Sequence, residues 1–214
     1  MNLIAKKMVV YDYLIGKIVD WSCDNDPTLS EKEVLSKLTS TALMKYLYIV
    51  NVLSVDANSQ SSLFNLFDNY QAYQHGPVEI DTYYNRNILV RYNMGYKKEE
   101  NRAYLTTCDK LRNEQRMLFN LQDFDENQPM QYVLEMLIKN YNLAGFVAMV
   151  NNSIGKIKSF NNVPRFTEVD RLIAVTHKDT WKAANNRTDK KLNLFDRTRL
   201  LEEQKAIIMD LNHS

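Results

Sequence analysis

Tyr73-Gln74-His75-Gly76-Pro77-Val78-Glu79-Ile80, or YQHGPVEI, is the stretch whose reading sets the rest of the chain. Only 5 glycines, 4 prolines and 3 histidines are present, yet one of each stands here in a row. A histidine on a glycine loop is a candidate general base. Alternatively, a helix ends at Gly76 and another starts at Pro77, where the missing N–H costs nothing. No nucleophile motif accompanies His75, so the architectural reading is preferred. It has His75 bonded to a backbone carbonyl near a helix end, and a helix over Pro77 to about Asn87 carrying Ile80, Tyr83 and Tyr84.

Outward from this stretch, helical periodicity dominates. Val10, Leu14, Ile18 and Trp21 form one stripe on a helix from about Met8 to Ser22, closed by the turn-like run Cys23–Pro27. Ser30 and Glu33 have capping-box spacing for a short helix to about Leu38. A longer helix, Ser40 to Val55, carries Leu43, Leu47 and Val50 with Tyr46, Ile49 and Leu53 beside them, a stripe wide enough for a central position. Residues 63–73 read as a helix or an extended arm. Ile88 to Met94, with Tyr96 and Tyr104 across a Lys-Lys-Glu-Glu turn, reads as a hairpin, with a solvated loop as the alternative. Helices follow over Thr107–Leu121 and Met130–Tyr141. Asn151–Pro164 reads as irregular, Phe166–Ala174 as helix, and about Leu192–Leu211 as a charged amphipathic helix. The expected fold is mainly α: a compact multi-helix single domain with one small antiparallel β-hairpin around residues 88–105.

Composition narrows the chemistry. The 214 residues suit one domain, and a hydrophobic share of 45% with 25% charged residues is that of a folded chain. A formal charge of +1 gives no general pull toward nucleic acid or anionic membrane. Cys23 and Cys108 are too few and too distant for a disulfide framework or a four-ligand zinc site. His75, His177 and His213 make no ligand pair. Asp12 interrupts the apolar run of the N-terminus, which argues against a signal peptide, and no stretch approaches a membrane span; a cytoplasmic location is expected. Neither a nucleophile elbow nor a glycine-rich nucleotide cradle occurs. Asp123, Asp125 and Glu126 cluster between two helices, where acids usually supply caps and solvated loops. No catalytic residue, metal or cofactor is therefore expected.

Two motifs in order point further. The first is Thr39-x3-Leu43-x-Lys45-x-Leu47-Tyr48, followed by Ala72-Tyr73-x2-Gly76-Pro77-Val78 with Tyr83 and Tyr84. The second is Leu172-Ile173-Ala174-Val175-Thr176-His177, with Trp181, Ala183 and Ala184 after it. Together they resemble the Panacea domain family, also called SocA-like or phage-associated GepA-like, over about Thr39 to Ala184. Tyr73 stands where that family often has Trp, and Asn85 to Leu105 matches no part of its pattern. The resemblance sets apart 1–38 as an N-terminal helical extension, 39–184 as the domain and 185–214 as a C-terminal amphipathic helix. Lys45, Tyr48, Gly76, Pro77, Val78, Thr176, His177 and Trp181 are its motif residues.

The resemblance implies an antitoxin of a bacterial toxin–antitoxin system, neutralising a co-encoded protein toxin by direct binding. Alternatives are an adaptor that delivers its toxin to a protease, or a phage- or prophage-encoded helical interaction protein. Tyrosine is abundant, 13 in all, and a tyrosine ring is a favoured interface anchor. The expected partner-binding residues are Tyr73, His75, Tyr83, Tyr84, Tyr92 and Tyr96. An enzyme would require His75 or His177 to meet a nucleophile or carboxylate. A nucleic-acid binder would require a continuous basic face from Lys178 to Arg199, where Lys and Asp are instead interleaved.

Overall fold

The computed structural model describes residues 2–54, 63–73, 76–97 and 102–160. Among them the chain is mainly helical. Seven helices, α1 (Leu3–Asn25), α2 (Glu31–Lys37), α3 (Ser40–Ser54), α4 (Ile80–Asn85), α5 (Asn113–Phe119), α6 (Met130–Asn140) and α7 (Ala144–Phe160), accompany one 3₁₀ turn at Leu63–Asn65. Four strands, β1 (Tyr70–Tyr73), β2 (Gly76–Glu79), β3 (Tyr92–Lys97) and β4 (Arg102–Thr107), form two separate antiparallel hairpins. Two compact units result. One comprises Met1–Ser40 and Asp81–Asn151, the other Thr41–Ile80 and Asn152–Ser214. The helices expected over Phe166–Ala174 and Leu192–Leu211, and the Lys178–Arg199 segment, lie outside the described residues.

In the first unit α1 is buried on nearly every side, from Met8, Val9 and Val10 through Leu14, Ile15 and Ile18 to Trp21. It packs against α2, α5 and α6, and α2 in turn covers β4. The stripe read from Val10, Leu14, Ile18 and Trp21 is there, but the helix runs beyond it at both ends, from an Asn2 cap to Asn25. Ser30 and Glu33 complete the expected capping box. Glu33 N–H donates to Ser30 Oγ at 3.3 Å, and Ser30 N–H donates to Glu33 Oε2 at 2.8 Å.

The expected hairpin forms with Tyr92 opposite Thr107 and Lys97 opposite Arg102. It begins later than residue 88, because Leu89 and Val90 are spent on the core. Gly95 faces Tyr104, and a Cβ there would come within 2.6 Å of the Tyr104 ring. The ring lies over the glycine, so the pair fits only without that side chain.

The helix expected over Thr107–Leu121 is shorter, Asn113–Phe119. Thr107 ends β4, residues 108–112 form the bend that follows it, and Asn120 stops the helix at φ 55°. Leu121 N–H reaches back to Arg116 O at 2.8 Å, closing the end. Asn142, at φ 54°, ends α6 in the same manner, with Leu143 N–H on Ile138 O at 2.9 Å.

In the second unit α3 supplies Leu43, Leu47, Val50 and Leu53 to the core, as its periodicity predicts. Tyr48 meets Tyr70 edge-on at 5.5 Å, and Phe64 lies 5.5 Å from the same Tyr70 ring. Asn51 Nδ2 donates to both Leu47 O and Tyr70 Oη at 2.8 Å, tying α3 to β1.

Two expectations fail here. Pro77 starts no helix; it lies in β2 opposite Ala72, and α4 begins only at Ile80. Ile80 N–H donates to Asn69 O at 2.9 Å. Alternating from that bond, Pro77 falls where the ladder needs no donor, so an edge strand accepts it. Residues 151–160, read as irregular, complete α7. Val150, Ile154 and Ile157 are buried at helical spacing, and this packing overrides the weak propensity of the Asn-Asn-Ser run.

The capping box has a pH signature. Hydrogen bonds from the Ser30 N–H, then from its hydroxyl, hold the Glu33 carboxyl below its ordinary 4.5. A depressed carboxyl contributes stability that is present above the unfolded value and lost as pH falls through the folded one. Glu33→Gln is expected to flatten the acid limb of urea-measured stability between about pH 5 and about pH 3. A variant curve parallel to that of the wild type would remove the box as its source.

Candidate functional site

A buried polar cluster in the first unit is built on α1. Asp12 is fully buried in that helix, and an isolated buried carboxylate costs several kcal/mol unless donors surround it. Its Oδ2 accepts the Val90 N–H at 2.8 Å and the Arg91 N–H at 2.9 Å, while Oδ1 accepts Arg91 Nε at 2.7 Å. Arg91 Nη2 also donates to the Asp12 carbonyl at 2.8 Å, and Nη1 donates to Gln131 Oε1 at 2.9 Å. Burial pushes the Asp12 carboxyl up, and the Arg91 charge and the three N–H donors pull it back. Burial opposes the Arg91 charge, but Asp12 holds the guanidinium above its ordinary value.

Gly16 makes this approach possible. A Cβ at that position would lie 2.2 Å from Arg91 Nη2, so the guanidinium rests on bare helix backbone. Over it opens a recess of about 250 Å³ lined by Tyr13, Gly16, Lys17, Asp20, Arg91 and Gln131. Lys17 Nζ lies 3.1 Å from Asp20 Oδ2, with both side chains partly in solvent. Tyr13 donates its hydroxyl proton to Asn151 Oδ1 at 2.9 Å, leaving its ring as a wall of the recess.

A second buried charge lies earlier on the helix. Lys7, fully buried, donates from Nζ to Asp81 Oδ2 at 2.6 Å.

The six residues expected to bind a partner do not share one fate. Tyr84 and Tyr96 are exposed, at 68% and 58% of their surface. Tyr83 is half-buried beneath Arg86, whose guanidinium carbon is 4.1 Å from the ring centre. Tyr92 is a correction. It is 3% exposed, with Arg91 over its ring at 5.1 Å, and burial raises its hydroxyl. As the first residue of β3 it points into the core, so its ring is not available to a partner. Tyr73 is placed by its backbone, opposite Gly76 in the first hairpin. His75 lies outside the described residues.

The motif residues are architectural where they are described. Tyr48 is core and Lys45 half-buried on α3. Gly76, Pro77 and Val78 make β2. Thr176, His177 and Trp181 lie outside the described residues, as does His213. The acidic cluster behaves as loop chemistry: Asp125 Oδ1 accepts the Asn127 N–H at 3.0 Å, and Glu126 pairs with Arg116 at 3.1 Å. Both cysteines are free thiols. Among the described residues no single helix is long and apolar enough to cross a membrane.

Sequence reasoning missed Asp12, Gly16, Arg91 and Gln131. The available signal was the charge at Asp12 inside an apolar run, which demands a partner wherever the helix is buried. Comparison with protein-family models, with curated proteins and with solved structures found no match.

Asp12→Asn strands the Arg91 guanidinium and is expected to cost about 3–5 kcal/mol in urea unfolding. Asp12→Leu combined with Arg91→Met should cost less than the sum of the two single changes, since no charge is left alone. Additive losses would mean that the two groups are energetically independent. Gly16→Ala adds about 1 kcal/mol of helix propensity but displaces the guanidinium. A net loss of about 1–3 kcal/mol is expected, and a net gain would show that Arg91 moves aside freely.

Proposed function

We propose that the protein is a binding module that neutralises a co-encoded protein toxin by direct contact, in the cytoplasm where both are made. The reading rests on the ordered pair of motifs. The observation that carries it further is the exposure of Tyr84 and Tyr96, one on α4 and one on β3 of the same unit. A tyrosine ring standing in water gains about 1.5–3 kcal/mol when a partner covers it fully, and its hydroxyl still finds a hydrogen bond at the interface rim. Both rings project from regular secondary structure, so little backbone freedom is lost on binding. Neutralisation by occlusion requires complementary shape and no proton transfer. Tyr83, clamped beneath Arg86, serves this reading by fixing the α4 surface from which Tyr84 projects.

The first test is growth. The neighbouring open reading frame is expressed in a bacterial host with and without this protein. Toxicity alone and recovery together are expected; a harmless neighbour, or one that is not rescued, removes the proposal. Tyr84→Ala and Tyr96→Ala, with unchanged melting temperature, should each weaken the complex by about tenfold or more. Wild-type affinity in both variants would place the interface elsewhere.

A further inference from the structure

The guanidinium of Arg91 is held by more acceptors than the pairing with Asp12 requires, and it still has donors to spare. Nε and Nη2 are directed at Asp12, and Nη1 at Gln131. Arginine carries five N–H donors, so one N–H on each Nη is left without an acceptor among the described residues. The side chain is 18% exposed, and its open part lines the recess over Gly16. Beside it on α1 stands Lys17, whose ammonium has further donors beyond its bond to Asp20.

We propose that this recess is an oxyanion site that receives the carboxylate of an acidic side chain from a protein partner. Its occupant is taken from the binding-module reading above, and the site itself from the first unit alone. Three features favour this ligand. The guanidinium is already fixed by Asp12 and Gln131 and by the absence of a Cβ at Gly16, so a planar carboxylate meets preorganised donors. About 250 Å³ admits the tip of a Glu or Asp side chain and falls short of the usual size of a small-molecule pocket. Charge decides between oxyanions. Lys17 and Arg91 are balanced by Asp20 in the recess and Asp12 under the guanidinium. The lining therefore has no net charge with which to offset a dianion, and a monoanionic carboxylate loses less hydration on entering than a phosphate dianion does. Asp20 does not close the site. Its side chain is 62% exposed and its pair with Lys17 is a surface pair, worth about 0–1 kcal/mol. An entering carboxylate replaces Asp20 on Lys17 and adds the Arg91 donors.

The test uses the full chain, isotope-labelled, titrated with sodium acetate at constant ionic strength, with inorganic phosphate as the second probe. The readouts are the Gly16 amide and Arg91 Nε–H resonances. Saturable shifts with acetate are expected, with affinity reduced about tenfold or more in Lys17→Glu, a change that leaves the Asp12–Arg91 pair untouched. Non-saturable shifts, or equal responses in Lys17→Glu, would overturn the site. Phosphate binding more tightly than acetate would overturn the carboxylate assignment. In the growth assay Lys17→Glu should fail to rescue where the wild type succeeds. Equal rescue by both overturns docking of a partner here, whereas failure of the wild type itself counts against the binding-module reading and leaves the acetate result standing.

Discussion

Two charges on one buried helix govern how the first unit is assembled. Lys7 and Asp12 are five residues apart in the sequence, about 7.5 Å along the axis of α1, and neither reaches water. Their partners, Asp81 in the first turn of α4 and Arg91, stand at either end of a segment made of most of α4 and the loop after it. That segment is therefore drawn along α1 with its two ends set. Any other register would leave an ammonium or a carboxylate alone in an apolar interior, at several kcal/mol each. Such pairs need not add net stability over a well-packed apolar core, but they discriminate strongly between arrangements of the same chain. Once Arg91 is seated, Tyr92 begins β3 at a defined point, and the hairpin falls where α2 covers it.

The second unit is specified differently, by shape with one polar tie. Tyr48, Phe64 and Tyr70 meet at tilted and edge-on angles, and the Asn51 amide joins the helix to the first strand through the Tyr70 hydroxyl. Three consecutive elements are brought together by rings and a single amide. The motif residues of this region thus have architectural duties. Tyr48 fills the core of α3, and Gly76, Pro77 and Val78 form the return strand beside Tyr70–Tyr73. Its sequence pattern carries information about a fold.

How much was legible follows from which forces were local. The stripes of α1 and α3, the Ser30 capping box and the α6 start are set by residues within a few positions of one another, and they read correctly. Pro77 did not, because the same fixed φ suits a first helical turn and an edge strand, and only pairing with Ala72 separates the two. The Asn151–Phe160 half of α7 was hidden because its poor helix formers are held by the burial of Ile154 and Ile157, a tertiary effect. The recess was hidden for a related reason. Asp12 announces that a cation is needed, but nothing local says that Arg91 supplies it, or that Gly16 is the vacancy in which that cation rests.

The tyrosines show where composition stops informing function. Tyr11, Tyr46, Tyr48, Tyr70 and Tyr92 lie in the interior, whereas Tyr84, Tyr96 and Tyr132 keep more than half of their surface in water. In β3 the division follows position along one strand: Tyr92 and Tyr96 share a face by the two-residue alternation, yet the first is at the core end of the hairpin and the second near its tip. An exposed ring can stack on a nucleic-acid base or anchor a protein interface, and the two uses differ in their electrostatics. Backbone phosphates must be neutralised by several Lys or Arg near the stacking rings. A net charge of +1 sets up no general pull toward phosphates, although Lys97 and Arg102 pair beside Tyr96 at the same end of the hairpin. A protein surface asks for area and a few hydrogen bonds, and an exposed tyrosine on a regular element offers both.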